Sequence, residues 1–321
     1  MFQQTFKNFN INYNSLNENN TFSSGDQITG HISFDLTKQT KITSIAMTLT
    51  GKASVHWSSG GHGGGRRRRS RRRHFSAKLE FFNLRNVLIQ EQSVTGRAAM
   101  LQPGTHVYPF MCQLPQGNFP STFHGVHGKI EYTLTVGISR PWHLSKDFVT
   151  ELTFVKHIDT NQPDLRAPLS GTNQTTLCCL WCASQPITVT ASVEKKAFVP
   201  GEIVKVICEF SNGSSQTATL KVRLQQKQAF YTHNKVNRRV VMKNLASVSR
   251  QPISAHASDV HTEIMLTIPP TASHTISNCS ILVVDYLIEV TLSSCAFPDL
   301  TVLCPIILCD TPVHSQPPAY L

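Results

Sequence analysis

Apolar residues recur at every second position in short stretches along the chain, and these stretches are separated by turn-forming residues. The stretches are Phe9-Ile11-Tyr13, Ile28 to Phe34, Ile45 to Val55, Phe75 to Phe81, Val87 to Ile89, Tyr108 to Leu114, Ile130 to Ile138 and Phe148 to Val155. A period of two puts one face of a strand in a core and the other toward solvent. No stretch holds the 3.6-residue helical period for long. Many short strands without helices predict an all-β chain folded as a sandwich or barrel, with two packed sheets in each half.

The pattern repeats. Phe22-x-x-Gly25-Asp26-x-Ile28-x-Gly30-x-Ile32-x-Phe34 returns as Phe198-x-x-Gly201-Glu202-x-Val204-x-Val206-x-Cys208-x-Phe210, at a constant offset of 176. Ile45, Met47 and Leu49 match Leu220, Val222 and Leu224, and Leu114-Pro115 with Tyr132 is echoed by Ile268-Pro269 with Tyr286. A duplicated domain follows, with residues 1–160 as the first copy and 186–310 as the second. Pro163, Pro168, Ser170 and Gly171 break the alternation between them, so 161–185 is expected to be a linker. Residues 311–321 hold too little apolar surface to fold alone and are expected to be a disordered tail.

Composition agrees with this reading. The chain has 321 residues, of which 40% are hydrophobic and 15% charged, enough for two cores without metal or disulfides. Residues 1–6 lack a basic start and an apolar run, so no secretory signal peptide is expected and the chain is placed in the cytoplasm. The best apolar run, Ile281 to Val290, carries Asp285 and Glu289 and is about half the ~20 residues a membrane span requires, so no transmembrane helix is expected. Nine cysteines in a reducing compartment are expected to be core hydrophobes for the most part.

The formal charge of +11 resembles that of a nucleic-acid binder, but its source is local. Seven arginines (Arg66, Arg67, Arg68, Arg69, Arg71, Arg72 and Arg73) follow the glycine-rich run from Gly60 to Gly65, and taking those seven from +11 leaves +4. Two readings of this insertion stand side by side: a solvated hairpin extension, or a loop that binds anionic lipid headgroups at about 1 kcal/mol per basic residue. Ser70, set among the arginines, is a candidate phosphorylation site whose modification would lower the charge. No aromatic residues interleave with the arginines and no nucleic-acid module accompanies them, so no nucleic-acid partner is expected.

Catalytic and metal signatures are missing from the sequence. There is no His-Glu-x-x-His, Gly-x-Ser-x-Gly, phosphate-binding or dinucleotide-binding pattern, and the 19 acidic residues do not cluster. Cys179-x-x-Cys182 has zinc-like spacing but no second pair, so no metal is expected. Cys178, Cys179 and Cys182 are candidates for acylation, with packing of the junction as the other reading. The chain is expected to be neither an enzyme nor a cofactor protein.

The sharpest chemical signal is Pro317-Pro318-Ala319-Tyr320. Proline pre-sets the polyproline II helix that WW-domain grooves recognise, and three residues per turn put Pro317 and Tyr320 on one face. Pro317, Pro318 and Tyr320 are therefore the candidate WW-domain-binding residues.

Several motifs together carry a family resemblance: Leu101-x-Pro103-Gly104-x-His106-x-Tyr108-Pro109-Phe110, Pro120-Ser121-x-Phe123-x-Gly125-x-x-Gly128-x-Ile130-x-Tyr132, Arg140-Pro141-Trp142, Leu177-Cys178-Cys179-x-x-Cys182 and Pro200-Gly201-Glu202. In this order and spacing the chain resembles the α-arrestins, or arrestin domain-containing proteins, over nearly its whole length. The resemblance implies two tandem immunoglobulin-like β-sandwiches, the arrestin N and C domains. It also implies a non-enzymatic adaptor that brings a WW-domain HECT-type ubiquitin ligase to the cytoplasmic tails of membrane receptors or transporters, for ubiquitination, endocytosis and sorting at the plasma membrane and endosomes. The alternative is a ligase-independent cargo-sorting scaffold of the retromer-subunit type. The Gly60 to Arg73 insertion and the single Pro-Pro-x-Tyr motif depart from the family pattern.

Overall fold

The structure is a computed structural model that describes residues 5–60, 72–90, 99–176 and 186–314. It divides into two compact units, one made of Met1–Lys156, Tyr231–Asn237 and Asn278–Ile281, the other of His157–Phe230, Arg238–Ser277 and Leu282–Leu321.

The first half of the chain contains β1 (Phe6–Tyr13), β2 (Thr21–Phe22), β3 (Gln27–Leu36), β4 (Thr40–Ile42), β5 (Ser44–Ser59), β6 (Arg73–Gln90), β7 (Ala99–Leu101), β8 (Gly104–Gln113), β9 (Phe123–His124), β10 (Gly128–Ser139) and β11 (Lys146–Phe154). One sheet runs β1-β3-β8 and the other β2-β11-β10-β5-β6, with β9 added to β10; β4 and β7 form a separate ribbon. The core is made by the alternating residues singled out above. Ile28, Ile32 and Phe34 of β3 are buried, as are Ile45, Met47 and Leu49 of β5 and Ile130, Tyr132, Leu134 and Val136 of β10.

In the second half, β13 (Ile187–Val193), β15 (Ile203–Asn212) and β18 (Ala257–Thr267) take the places of β1, β3 and β8. Likewise β14 (Ala197–Phe198), β20 (Phe297–Leu308), β19 (Leu282–Ser294), β16 (Thr219–Tyr231) and β17 (Arg238–Ser249) repeat the order β2-β11-β10-β5-β6. Both halves are thus tandem β-sandwiches of one plan.

The duplication extends to single hydrogen bonds. Phe22 pairs in parallel with Phe154, and Phe198 with Leu308. Asp26 accepts the Ser23 amide at 2.7 Å, and Glu202 accepts the Val199 amide at 2.9 Å. Between acceptor and amide, Gly25 and Gly201 adopt φ of +82° and +90°, the left-handed region that a side chain disfavours, which is why the turn is glycine-acidic in both copies. Thr122 Oγ1 accepts the Phe154 amide at 2.8 Å and Thr275 Oγ1 accepts the Leu308 amide at 2.9 Å.

Tyr132 and Tyr286 are equivalent too. Each is almost wholly buried, and each hydroxyl donates at 2.6 Å to a backbone carbonyl, of Pro120 and of Ser273 respectively. Burial pushes both phenols upward in pKa, so both stay protonated donors. Tyr132→Phe keeps the ring that stacks on Phe154 but strands the Pro120 carbonyl. We expect a loss of about 1–3 kcal/mol, read as a lower urea midpoint at unchanged m-value.

Three expectations are corrected. Phe75–Phe81 and Val87–Ile89 are parts of one strand, β6: Gly51 pairs with Phe82 and Lys52 with Glu80, so a bulge at Phe81 shifts the inward parity and hides the continuity. The expected linker 161–185 contains a short helix, α1 (Pro163–Arg166), and β12 (Leu169–Thr175), an edge strand paired with β13. The inward positions of β12 are Leu169, Gly171, Asn173 and Thr175; a Cβ on Gly171 would lie 2.9 Å from Val302 Cγ1, and the Asn173 side-chain amide donates to the Thr301 carbonyl at 3.0 Å. Only the first of the four is apolar. Finally, the chain beyond Asp310 does not leave the fold at once, because Val313 is 2% exposed.

Candidate functional site

The residues that precede the Pro-Pro-x-Tyr motif are built into the second unit. After β20, Cys309 and Val313 pack with Leu165 of α1 and Ala197 of β14, and all four are buried. Lys195, itself buried, donates from Nζ both to Glu202 Oε1 and to the Val313 carbonyl, and its ammonium lies 5.0 Å from the centre of the Phe198 ring. The acidic residue of the repeated turn therefore does double duty: one oxygen holds the turn and the other holds Lys195. The single S–H of Cys309 has the carbonyls of Phe198 and Thr311 as alternative acceptors.

Asp310 secures the other side of this anchor. Burial pushes its carboxyl up, but hydrogen bonds from His157, Thr311 and the Ile158 amide outweigh it and hold the carboxyl below its usual value. His274 is held below the ordinary histidine range, first by burial and further by His157, against the opposing pull of Asp310. Both folded-state values are lowered, so both contributions are complete above the unfolded values and fade as pH falls. We expect the melting temperature to drop on acidification from about pH 7 toward pH 5 as the unfolded chain protonates at His274, and again below about pH 4 through Asp310. His274→Gln should flatten the first slope in thermal unfolding followed across that range.

A second feature lies in the first unit, on an open side of its sandwich. The edge strand β8 and the edge strand β6 flank a groove of about 190 Å³ lined by the apolar Met47, Leu49, Leu84, Met111 and Cys112 and by the polar Arg85, Asn86 and Gln113. Leu84 and Met111 are 43% and 58% exposed, an apolar floor beside β8, whose outer edge has no partner among the described residues. The Cys112 thiol is pushed up to about 11 by burial, so at neutral pH it is an apolar wall and not a nucleophile. Such a groove can hold an extended peptide as an added strand.

The sequence-predicted site residues fall elsewhere. Arg72 and Arg73 are exposed at the loop end of the β5–β6 hairpin, with Arg73 opposite Ser59. Arg66, Arg67, Arg68, Arg69, Ser70 and Arg71 lie outside the described residues, as do Cys178, Cys179, Cys182, Pro317, Pro318 and Tyr320. Of the described cysteines, Cys208, Cys279, Cys304 and Cys309 are buried, Cys112 is half-buried and Cys295 is exposed. His124-Gly125-x-His127-Gly128 is the tight turn between β9 and β10, closed by the Gly125 amide on the Gly128 carbonyl. Among the described residues no cluster of His, Cys, Asp and Glu could hold a metal ion, and no helix is long and apolar enough to cross a membrane.

Comparison with known proteins matches both sandwiches. Residues 9–161 fit the family model described as Arrestin (or S-antigen), N-terminal domain, and residues 183–313 the one described as Arrestin (or S-antigen), C-terminal domain. Arrestin domain-containing protein 4 of Mus musculus is 28% identical over 84% of this chain and 64% of its own length; the Homo sapiens protein is 27% identical over 84% and 63%. Thioredoxin-interacting protein of Rattus norvegicus is 22% identical over 75% of this chain and 58% of its own length. The chain thus spans less than two thirds of the length of these relatives. With two domain models matched in order across its length, the chain belongs to the arrestin family, in its arrestin domain-containing (α-arrestin) group.

Proposed function

We propose that the protein is a non-enzymatic adaptor that joins a WW-domain HECT-type ubiquitin ligase to the cytoplasmic tail of a membrane receptor or transporter, for ubiquitination, endocytosis and sorting. The observation that carries this reading is the join between anchor and motif. Val313 is pinned by Lys195, and Pro317 follows four residues later, within about 14 Å of fully extended chain. A ligase bound at Pro317, Pro318 and Tyr320 is thereby held beside a folded domain, and catalysis belongs to the ligase.

The groove between β8 and β6 supports the cargo half of the reading. An extended tail laid along β8 would gain main-chain hydrogen bonds and bury alternate side chains against Leu84 and Met111. The working places of such an adaptor are the cytoplasm and, by peripheral recruitment, the plasma membrane and endosomes. Arg66 to Arg73 would add attraction to anionic lipid headgroups, reduced by phosphorylation at Ser70, and acyl groups on Cys178, Cys179 or Cys182 would add apolar affinity.

The test is calorimetric titration of the whole chain with the WW domains of HECT-type ligases. Saturable binding supports the adaptor. Absence of binding to every domain would turn the reading to a sorting scaffold that works without a ligase.

A further inference from the structure

The turn between β10 and β11, residues 140–145, presents large apolar side chains to solvent at one end of the first unit. Trp142 is fully exposed, at 102%, and Leu144 is 94% exposed. Trp142 also has φ of +62°, a left-handed conformation that is uncommon for any residue with a side chain and costly for a bulky one. Hydrophobic burial would place this indole inside; here the backbone is bent so as to hold it out.

The chemistry around the turn is cationic. Lys38 and Lys41, from the connection between β3 and β4 and from β4 itself, line a cavity of about 300 Å³ with Arg140, Pro141, Trp142 and His143. Lys146 opens β11 beside them. Lys38, Lys41 and Lys146 are exposed, and none forms an ion pair with a described carboxylate. Among the described residues no carboxylate lines the cavity. The nearest in sequence are Asp35, hydrogen-bonded to Asn8 and Thr105, and Asp147, next to Lys146.

We propose that the 140–145 turn is a membrane-docking element, in which Trp142 and Leu144 enter the headgroup region of an anionic bilayer while Lys38, Lys41 and Lys146 meet its lipid phosphates and carboxylates. Tryptophan is suited to that depth, with a large apolar body and a polar N–H, and lysines can lie along the surface with their ammonium groups at the headgroups. This surface is separate from the arginine insertion. The cationic turn sits at the Ser44 end of β5, since the Thr43 amide bonds the Ser139 carbonyl, whereas the insertion follows Ser59 at the other end. Fifteen residue steps at about 3.3 Å put up to roughly 50 Å between the two ends of β5. The inference stands without the ligase reading.

The experiment uses the whole chain with vesicles of phosphatidylcholine alone or mixed with phosphatidylserine, some carrying brominated acyl chains that quench indole fluorescence. Quenching is expected with the anionic vesicles, weakening as salt rises. Trp142→Ala should remove the quenching and lower the affinity by about 10-fold or more, with an unchanged circular dichroism spectrum because the side chain packs on nothing. Lys38→Glu with Lys41→Glu should lower affinity and flatten the salt dependence while leaving Trp142 in place. Deleting residues 61–71 should leave the quenching intact; if that deletion abolishes it, the arginine insertion is the membrane element and the proposal is overturned. It is equally overturned if Trp142→Ala leaves vesicle binding unchanged and instead dissolves a concentration-dependent dimer in sedimentation, which would make the turn a contact between copies of this chain.

Discussion

Tyr320→Ala is expected to abolish binding of WW domains while leaving the melting temperature unchanged. The two prolines and the tyrosine contribute differently. Pro317 and Pro318 restrict the free chain to the bound backbone conformation, so they reduce the entropy lost on binding and add a rigid apolar ridge. In a polyproline II segment bound to a WW domain, Tyr320 would be the anchor, an aromatic plate with a polar tip on the same face as Pro317. Truncating a central aromatic anchor costs 2 kcal/mol or more, a fall of roughly 30-fold, and with one motif in this chain no second copy compensates by effective concentration. Ala319 would lie off that face, and Ala319→Ser should bind as the parent does. Undiminished binding by Tyr320→Ala in calorimetric titration would remove the motif from the account.

Lys195→Met is the substitution expected to cost most in stability. The ammonium is buried and bridges Glu202 to the Val313 carbonyl, so the change leaves a carboxylate facing an apolar side chain and an orphaned carbonyl. Removing one partner of a buried, hydrogen-bonded ion pair costs roughly 3–5 kcal/mol, and the partial exposure of Glu202 places this case near the lower end. Limited proteolysis supplies the second readout. If Lys195 pins the segment, the variant should be cut after Asp310 much faster than the parent; equal rates would mean that packing of Val313 alone holds it. A double variant, Lys195→Met with Glu202→Gln, should recover part of the loss by removing the stranded charge.

The two sandwiches were legible in sequence because their defining features are local. A glycine at positive φ followed by an acid, then residues alternating in and out, occupies a dozen consecutive positions, and Phe22 to Phe34 and Phe198 to Phe210 repeat it without a gap. β12 was invisible for the opposite reason. The middle of its inward face is Gly171 and Asn173, which meet Val302 and the Thr301 backbone through closeness and a hydrogen bond, so Leu169 is its one apolar inward residue and no alternation shows. Val313 is a single apolar residue among polar neighbours, and its burial depends on Lys195, more than a hundred residues earlier. The groove beside β8 joins residues from three strands far apart in sequence. Trp142 could be read as part of a motif, but its exposure could not, because a tryptophan flanked by proline reads more naturally as core than as a side chain bent outward.

The anchoring of Val313 changes how the C-terminal segment has to be dissected. A stop codon after Asp310 is the obvious way to delete the motif, and it would also take away Val313 and leave Lys195 without its carbonyl acceptor. Such a chain would lose function through a damaged domain as much as through a missing ligand, and lower abundance in cells would imitate loss of recruitment. A stop codon after His314 separates the two effects: the plug stays seated, and whatever is lost belongs to the chain beyond His314.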